Sequence, residues 1–419
     1  MSKSLPPGWR RVRLGDVLEP VNRFEKLDPD REYRLLGVKW YAQGVFEREP
    51  KFGKVIAAKQ LNRVEEGDFV YNRLFAWKGS FAVVGNGHAG GYVSGEFPVF
   101  RAKPDAILAE FLYRHFSRPQ AWRLVEHHST GTTNMSRNRW REEQFLSWHI
   151  SLPPINEQER IIATLRGADD AIEANIEVIA RTLALKKSLA DELLRRGLPG
   201  VHTRFKDSAL GRIPEAWEVR RLDEVARVER GKFTHRPRNE PSMYGGATPF
   251  VQTGDITASG WYLHGYSQTL SERGLTVSRL FPAGTILLAI AQTRGNIGAT
   301  TITRFPVAFP DSVVGITPNA GFTPEYLLTA LEHAQRRIIG AATESAQANL
   351  SLDLLRPVPI EVPTKAEREL ITKAVKDIEQ CLERAHENLK SLRVLRDGLL
   401  PSLLLAGSTE TGATQRREV

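Results

Sequence analysis

The sequence predicts an α+β fold: two pseudo-symmetric globular domains joined by two long antiparallel coiled-coil helices. Three observations lead there. The chain says nearly the same thing twice, about 210 residues apart. Each repeat opens with short β-type runs broken by turn residues. Each closes with some 40 residues whose apolar positions fall three or four apart. The repeat can be read directly. Leu5-Pro6-Pro7-Gly8-Trp9 returns as Ile213-Pro214-Glu215-Ala216-Trp217, and Leu14 and Val17 return as Leu222 and Val225. Ile150-Ser151-Leu152-Pro153 returns as Ile360-Glu361-Val362-Pro363, and Glu157-Gln158-Glu159 as Glu367-Arg368-Glu369. A protein of two similar halves suits a target that also has two parts.

The elements follow in order. Residues 1–150 form the first domain. Asp68–Tyr71 and Ser80–Val84 read as strands, and Gly85-Asn86-Gly87 as a hairpin signal. Ala109 to Glu126 reads as one helix, with Phe111, Leu112, His115, Phe116 and Leu124 turned to a core. Residues 151–200 hold the first long helix. Its seam is Ile161, Leu165, Ala168, Ile172, Ile176, Ile179, Leu183, Ala190 and Leu193, interrupted by Lys186. Pro153-Pro154 precedes it and Gly197-Leu198-Pro199-Gly200 stops it. Residues 201–360 repeat the first domain. Pro249–Gln252 and Gly284–Ile290 read as strands, and Phe322–Ile339 as the counterpart of the helix at Ala109. Residues 361–405 repeat the long helix, with the seam Ile371, Val375, Ile378, Leu382, Ala385, Leu389, Leu392, Leu399 and Leu403. Residues 406–419 are small and polar, and disorder is expected there. Each long helix would span roughly 60 Å at 1.5 Å per residue. An apolar stripe of that length is not stable alone in water, so the two should pack on each other.

Composition narrows the function. The net charge is +9 over 419 residues. Residues 157–196 carry seven basic and eight acidic side chains, residues 366–405 seven of each, and residues 406–419 sum to zero. The basic excess therefore sits in the two globular blocks, a distribution suited to a polyanion, of which nucleic acid is the commonest large example. A single cysteine, Cys381, excludes a disulfide framework and a thiolate zinc site, and fits a reducing, cytoplasmic setting. The start MSKSLPPGWRR lacks the apolar stretch of a signal peptide, and no run is apolar enough to span a membrane.

Motifs for catalysis fail on context. Gly85-Asn86-Gly87-His88-Ala89-Gly90 matches a dinucleotide loop literally, yet a strand and turn follow where a helix must receive the pyrophosphate. Asp30, Glu49 and Lys51 imitate a metal-dependent nuclease, but the second half has no equivalent. His127-His128 point about 100° apart on a helix and lack further ligands. No phosphate loop or nucleophile elbow occurs. A non-catalytic reader is expected, with a metal-dependent nuclease and a protein–protein scaffold that does not read DNA as the alternatives.

What remains are polar and basic loop residues. Asn72, Arg73, Trp77 and Lys78 follow one strand. Gln292, Thr293, Arg294 and Asn296 follow its counterpart. Arg can contact guanine bidentately, Asn and Gln can do so for adenine, and Lys78 suits a phosphate. Arg137, Arg139 and Arg141, with Lys232, His235, Arg236 and Arg238, form further basic clusters suited to phosphates.

At these residues the chain resembles the specificity subunits of type I restriction–modification systems. The string Thr203–Trp217 (TRFKDSALGRIPEAW) is similar to that family's junction, and Leu152-Pro153-Pro154-Ile155-Asn156-Glu157-Gln158-Glu159-Arg160 to the start of its central helix. Gly131-Thr132-Thr133 also fits. The second half departs from the pattern, with Val362-Pro363-Thr364-Lys365 and Gly340-Ala341-Ala342-Thr343. The resemblance implies two target-recognition domains, each reading one half of a bipartite site in double-stranded DNA. It implies that the helices set the spacing and dock two modification subunits, around Ile172, Ile176, Ile179, Leu183, Leu382, Leu389 and Leu392. S-adenosylmethionine, ATP and Mg would belong to those partners and to two restriction subunits where the system also cleaves. No cofactor or metal is expected in this chain.

Overall fold

The computed structural model describes residues 5–129, 139–290, 298–343 and 350–404. Contacts divide the chain into two compact units, residues 1–174 with 390–419, and residues 175–389. Each is described by itself.

The first unit contains β1 (Arg10–Arg13), β2 (Leu18–Pro20), β3 (Phe24–Lys26), β4 (Gln60–Arg63), β5 (Phe69–Tyr71), β6 (Phe81–Val83), β7 (Tyr92–Val93), β8 (Val99–Ala102) and β9 (His149–Leu152). A four-stranded antiparallel sheet has the order β6-β5-β8-β2, and a second sheet the order β7-β4-β3. Period-two alternation splits the first sheet between two cores. Phe69, Tyr71, Phe81 and Phe100 turn to one face, where Phe111, Phe116, Trp140 and Phe145 meet them. Val70, Ala82 and Val99 turn to the other. β1 and β9 pair antiparallel from Arg10↔Leu152 to Arg13↔His149, so the chain enters and leaves this block side by side.

The helical segment at Ala109 is two helices, α1 (Ala109–Phe116) and α2 (Pro119–His128), rather than one. Pro119 is the reason. It disfavours a helical Arg118 and lacks the N–H the helix would need, yet suits the first turn of a new one. The phase slips accordingly: Val125 is buried, whereas Leu124 is only partly so. Gly85-Asn86-Gly87 is not a hairpin turn either. A 3-10 turn at Asn86–His88 carries the chain from β6 to β7 in the other sheet. α3 (Glu142–Ser147) then leads into β9.

α4 (Ile155–Arg196) is the first long helix. At its start Gln158 is fully buried; its Oε1 accepts from the Leu108 N–H at 2.8 Å and its Nε2 donates to the Pro153 carbonyl at 2.9 Å. Ile161 and Leu165 share the first unit's core with Leu400 and Leu404, which lie near the end of the second long helix.

The second unit holds β10 (Phe205–Ser208), β11 (Gly211–Pro214), β12 (Glu218–Arg221), β13 (Ala226–Arg230), β14 (Tyr244–Phe250), β15 (Gln268–Leu270), β16 (Leu280–Phe281), β17 (Ile286–Ala289), β18 (Thr300–Ile302), β19 (Val307–Ala308), β20 (Val313–Pro318) and β21 (Pro359–Val362). Its four-stranded antiparallel sheet runs β18-β17-β20-β13, repeating the connectivity of the first. β12 and β21 pair as β1 and β9 do, from Glu218↔Val362 to Arg221↔Pro359. The second sheet differs: β15-β14-β19-β16, with a parallel β14–β19 contact.

α5 (Pro324–Thr343) packs on the sheet, and α6 (Lys365–Leu404) is the second long helix. The junction string folds as the hairpin β10–β11, turning at Ala209-Leu210. Gly197 ends α4 with a φ of +76°, where an added Cβ would meet His202 and Glu367. Glu367 fastens this corner: it accepts from Trp217 Nε1 at 2.8 Å and from the Leu198 N–H at 3.2 Å, and sits 2.7 Å from His202 Nε2.

The helical seams are partly as expected. Ile179, Ala190, Leu193, Ile371, Val375 and Leu382 are buried, while Ile172, Leu389 and Leu392 are half-buried. Ile176 and Leu183 are 44% and 48% exposed, with Val178 and Leu185 beside them. The seven-residue step Ile172–Ile179–Lys186–Leu193 keeps one column covered. The neighbouring column, Ile176–Leu183, is left about half exposed.

Candidate nucleic-acid interface

In the first unit the β5–β6 connection carries the predicted loop. Asn72 closes a local turn, its Oδ1 accepting from the Leu74 N–H at 2.9 Å. Trp77 Nε1 donates to the Leu74 carbonyl at 3.0 Å. Ala76–Lys78 form a 3-10 turn that Gly79 ends in the left-handed region, φ +72°. Glycine is required there twice over, because an added Cβ would collide with the Trp122 indole. Arg73 is half-buried and ion-paired with Glu142 in the first turn of α3. Lys78 lies between two indoles, its Nζ 3.8 Å from the Trp40 ring centre and 4.9 Å from that of Trp77. Both rings offer their π faces to the ammonium group.

A second loop, missed from the sequence, is bonded to the first. The Tyr41 N–H donates to the Lys78 carbonyl at 2.8 Å, and the Ala42 N–H to the Gly79 carbonyl at 2.7 Å. Tyr41 and Ala42 both have positive φ, 59° and 52°, which costs non-glycine residues energy. Tyr113 Oη steadies the turn by donating to the Ala42 carbonyl at 2.6 Å. The result presents Trp40 (40% exposed) and Tyr41 (56% exposed) at the surface next to Lys78. The sequence signal available was Lys39-Trp40-Tyr41 itself, a basic–aromatic run without strand alternation.

The other predicted residues are scattered over several loops. Arg139 is half-exposed and pairs with Glu96 at 2.9 Å. Lys232 is exposed, and its backbone N–H donates to the Phe309 carbonyl at 3.1 Å. Arg236 is exposed and bonds its own loop, Nη1 donating to the carbonyls of Phe233 at 2.9 Å and His235 at 2.8 Å. Arg238 pairs with Asp311 at 2.8 Å. Arg137, Gln292, Thr293, Arg294 and Asn296 lie outside the described residues. The strands flanking the second loop, β17 and β18, are nevertheless the topological counterparts of β5 and β6.

The dinucleotide and metal readings gain nothing. The glycine run itself folds as a 3-10 turn and strand β7 follows, with no helix to face a phosphate. Among the described residues no group of three or more His, Cys, Asp or Glu side chains is placed to hold a metal ion. His128 bonds its own helix, Nδ1 lying 2.8 Å from the Leu124 carbonyl. Among them, too, no helix is long and apolar enough to cross a membrane.

Two repeated sheet-and-helix units, each holding parts of two long helices, define a class already seen in solved structures. The fold is like a chain from a structure bearing on complex assembly and conformational transition of the type I R-M system (19% identical, TM-score 0.61, covering 96% of this chain and 98% of that one). It is also like the S subunit of the type I restriction-modification system from M. genitalium (16% identical, TM-score 0.56, covering 96% and 99%). In sequence, a family model described as the type I restriction modification DNA specificity domain matches residues 6–180 and 214–392. The chain belongs to that family. Similar curated proteins include two from Methanocaldococcus jannaschii. The type I restriction enzyme MjaVIII specificity subunit is 27% identical over 239 residues, 55% of this chain and 52% of that protein. The MjaIX specificity subunit is 25% identical over 186 residues, 43% and 42% respectively. The matched segments thus span less than two thirds of these relatives.

Proposed function

We propose that the chain is the DNA sequence-specificity subunit of a type I restriction–modification complex and is not itself a catalyst. The observation that carries this is the repeated sheet. β5–β6 and β17–β18 present one loop each from the same place in two copies of one framework, in a chain of the DNA specificity family. A shared scaffold with unlike loops reads two unlike half-sites. Asn72, Arg73, Lys78, Arg139, Lys232, Arg236 and Arg238, with Arg137, Gln292, Thr293, Arg294 and Asn296, are the candidates for contact, and Trp40 and Tyr41 join them. In this reading residues 1–150 and 201–360 are the recognition domains, residues 151–200 and 361–405 the helical spacers, and the setting cytoplasmic.

The long helices act as an antiparallel spacer. Support comes from each unit separately: Asp169 on α4 lies 3.8 Å from Arg396 on α6 in one, and Lys186 on α4 lies 2.8 Å from Glu379 on α6 in the other. The half-exposed column Ile176–Leu183 is the docking face for two modification subunits, with two restriction subunits joining where the system cleaves. S-adenosylmethionine, ATP and Mg belong to those partners.

Exchanging residues 205–360 for another recognition domain should change one half of the methylated motif. A change in both halves would refute modular reading. Adding or removing a helical turn near Ala180 should change the gap between half-sites and leave their bases alone; methylome sequencing reads both outcomes. Binding by the assembled complex should weaken steeply with salt, because Lys and Arg displace counterions.

A further inference from the structure

Lys186 breaks the apolar seam of α4, and the fold gives that break a use. The residue is buried, at 8% exposure. Nζ lies 2.8 Å from Glu379 on α6 and 3.1 Å from Glu332 on α5, and 4.6 Å from the centre of the Trp261 ring. One cation therefore joins both long helices to the helix of the globular part. The first unit holds a cluster of the same design. Asp169 on α4 pairs with Arg114 on α1 and lies 3.8 Å from Arg396 on α6, which also pairs with Asp397 at 2.8 Å. The clusters are repeats of one another: Lys186 and Arg396 lie 210 residues apart, and so do Asp169 and Glu379. In each unit a basic residue late in one long helix meets an acidic residue early in the other. The third member changes sign, arginine in one unit and glutamate in the other.

Apolar seams specify register weakly, because leucine and isoleucine fit one turn along almost as well. A charged residue in the seam specifies it strongly, at a cost in stability. Slid by one turn, Asp169 would face Leu392 or Leu400. Lys186 would face Val375, or else Glu383 with Glu379 left buried behind it. We propose that these two clusters are register pins. They fix the sliding position of α4 against α6 and tie each recognition domain to that position, so that Lys186 and Asp169 act as positioning residues for the gap between half-sites. The link to the gap rests on the spacer reading above.

The test uses the full chain with Cys381→Ser and spin labels at exposed helix positions, Lys187 with Arg384 for one pin and Asp170 with Arg393 for the other. The unaltered pins should give one narrow distance for each pair. Lys186→Met with Glu332→Leu and Glu379→Leu removes every charge of the second pin, so the variant stays folded by circular dichroism. Its distance should broaden or gain a second maximum displaced by about one turn, ~5.4 Å. Asp169→Asn with Arg396→Gln, at the more exposed pin, should do the same if the first variant fails to fold. Asp169→Glu should restore the narrow distance. A folded apolar variant with an unchanged narrow distance overturns the pins. The same variants are then read by methylome sequencing. A broadened distance with an unchanged half-site gap leaves the pins standing and overturns the spacer reading instead.

Discussion

The two globular units share one framework and differ in what fills it. The sheet β6-β5-β8-β2 and the sheet β18-β17-β20-β13 have the same connectivity, yet the first packs rings and the second packs branched aliphatics. Phe69 stacks on Phe145 with centroids 5.7 Å apart, and Phe81 on Phe116 at 4.7 Å. The counterpart face carries Ile286, Leu288, Ile302, Val314 and Ile316. The supporting sheet differs as well, three strands in one unit and four in the other. Backbone connectivity was kept while side chains and outer strands diverged. That is the division expected if the framework places a loop and the rest determines what the loop reads.

The sharpest way to break this comparison is to remove one filling. Trp140→Ala should cost about 3–5 kcal/mol, since Trp140 is fully buried among Tyr71, Phe81 and Phe145. Hydrogen exchange should speed up across residues 10–152 and stay unchanged in β12–β21; acceleration in both would mean the units are not independent. Gly79→Ala comes next, at about 2–3 kcal/mol, from left-handed strain and the collision with Trp122. Gly298→Ala in the counterpart loop, also in the left-handed region at φ +85°, should cost only about 1 kcal/mol, because it carries that strain without the collision: its added Cβ meets the flexible end of Gln335 at 3.3 Å. Urea melts of the pair would show the difference. Trp40→Ala should barely move stability but weaken binding on the order of tenfold, through one half-site alone, in competition assays with half-site-altered DNA. The smallest effect is electrostatic. Burial pushes the pKa of His115 well below its usual value, with Arg118 adding to the shift. The folded unit therefore keeps His115 neutral while the unfolded chain takes up a proton below about pH 6.5, so acidification destabilises it. His333, the histidine on α5, instead has a carboxylate beside it, Asp191 at 2.6 Å. Tm should fall on going from pH 7 to 5, and less so in His115→Gln.

Much of this was legible in the sequence because it rests on periodicity and punctuation. The long helices run Ile155–Arg196 and Lys365–Leu404, close to the limits that their seams and flanking Pro and Gly residues set. β5, β6 and β17 lie where apolar runs marked them. The break at Pro119 was readable too, and was overridden by an apolar pattern that continues through it. The supporting sheets were not legible, since strands of two and three residues leave almost no periodic signal. The Trp40–Tyr41 turn was hidden for a different reason: its positive φ values are imposed by hydrogen bonds to residues 78 and 79, nearly 40 positions away. Lys186 read as a flaw in a seam, because its partners on α5 and α6 are set by tertiary structure alone.

The paired strands β1 with β9, and β12 with β21, have a consequence for engineering. Each block of roughly 140 residues begins and finishes on neighbouring strands, whose facing Cα atoms in such ladders lie about 4.5–5.5 Å apart. A host protein would need to open only one tight turn to receive either block as a graft, with no linker to span and no new terminus to shield.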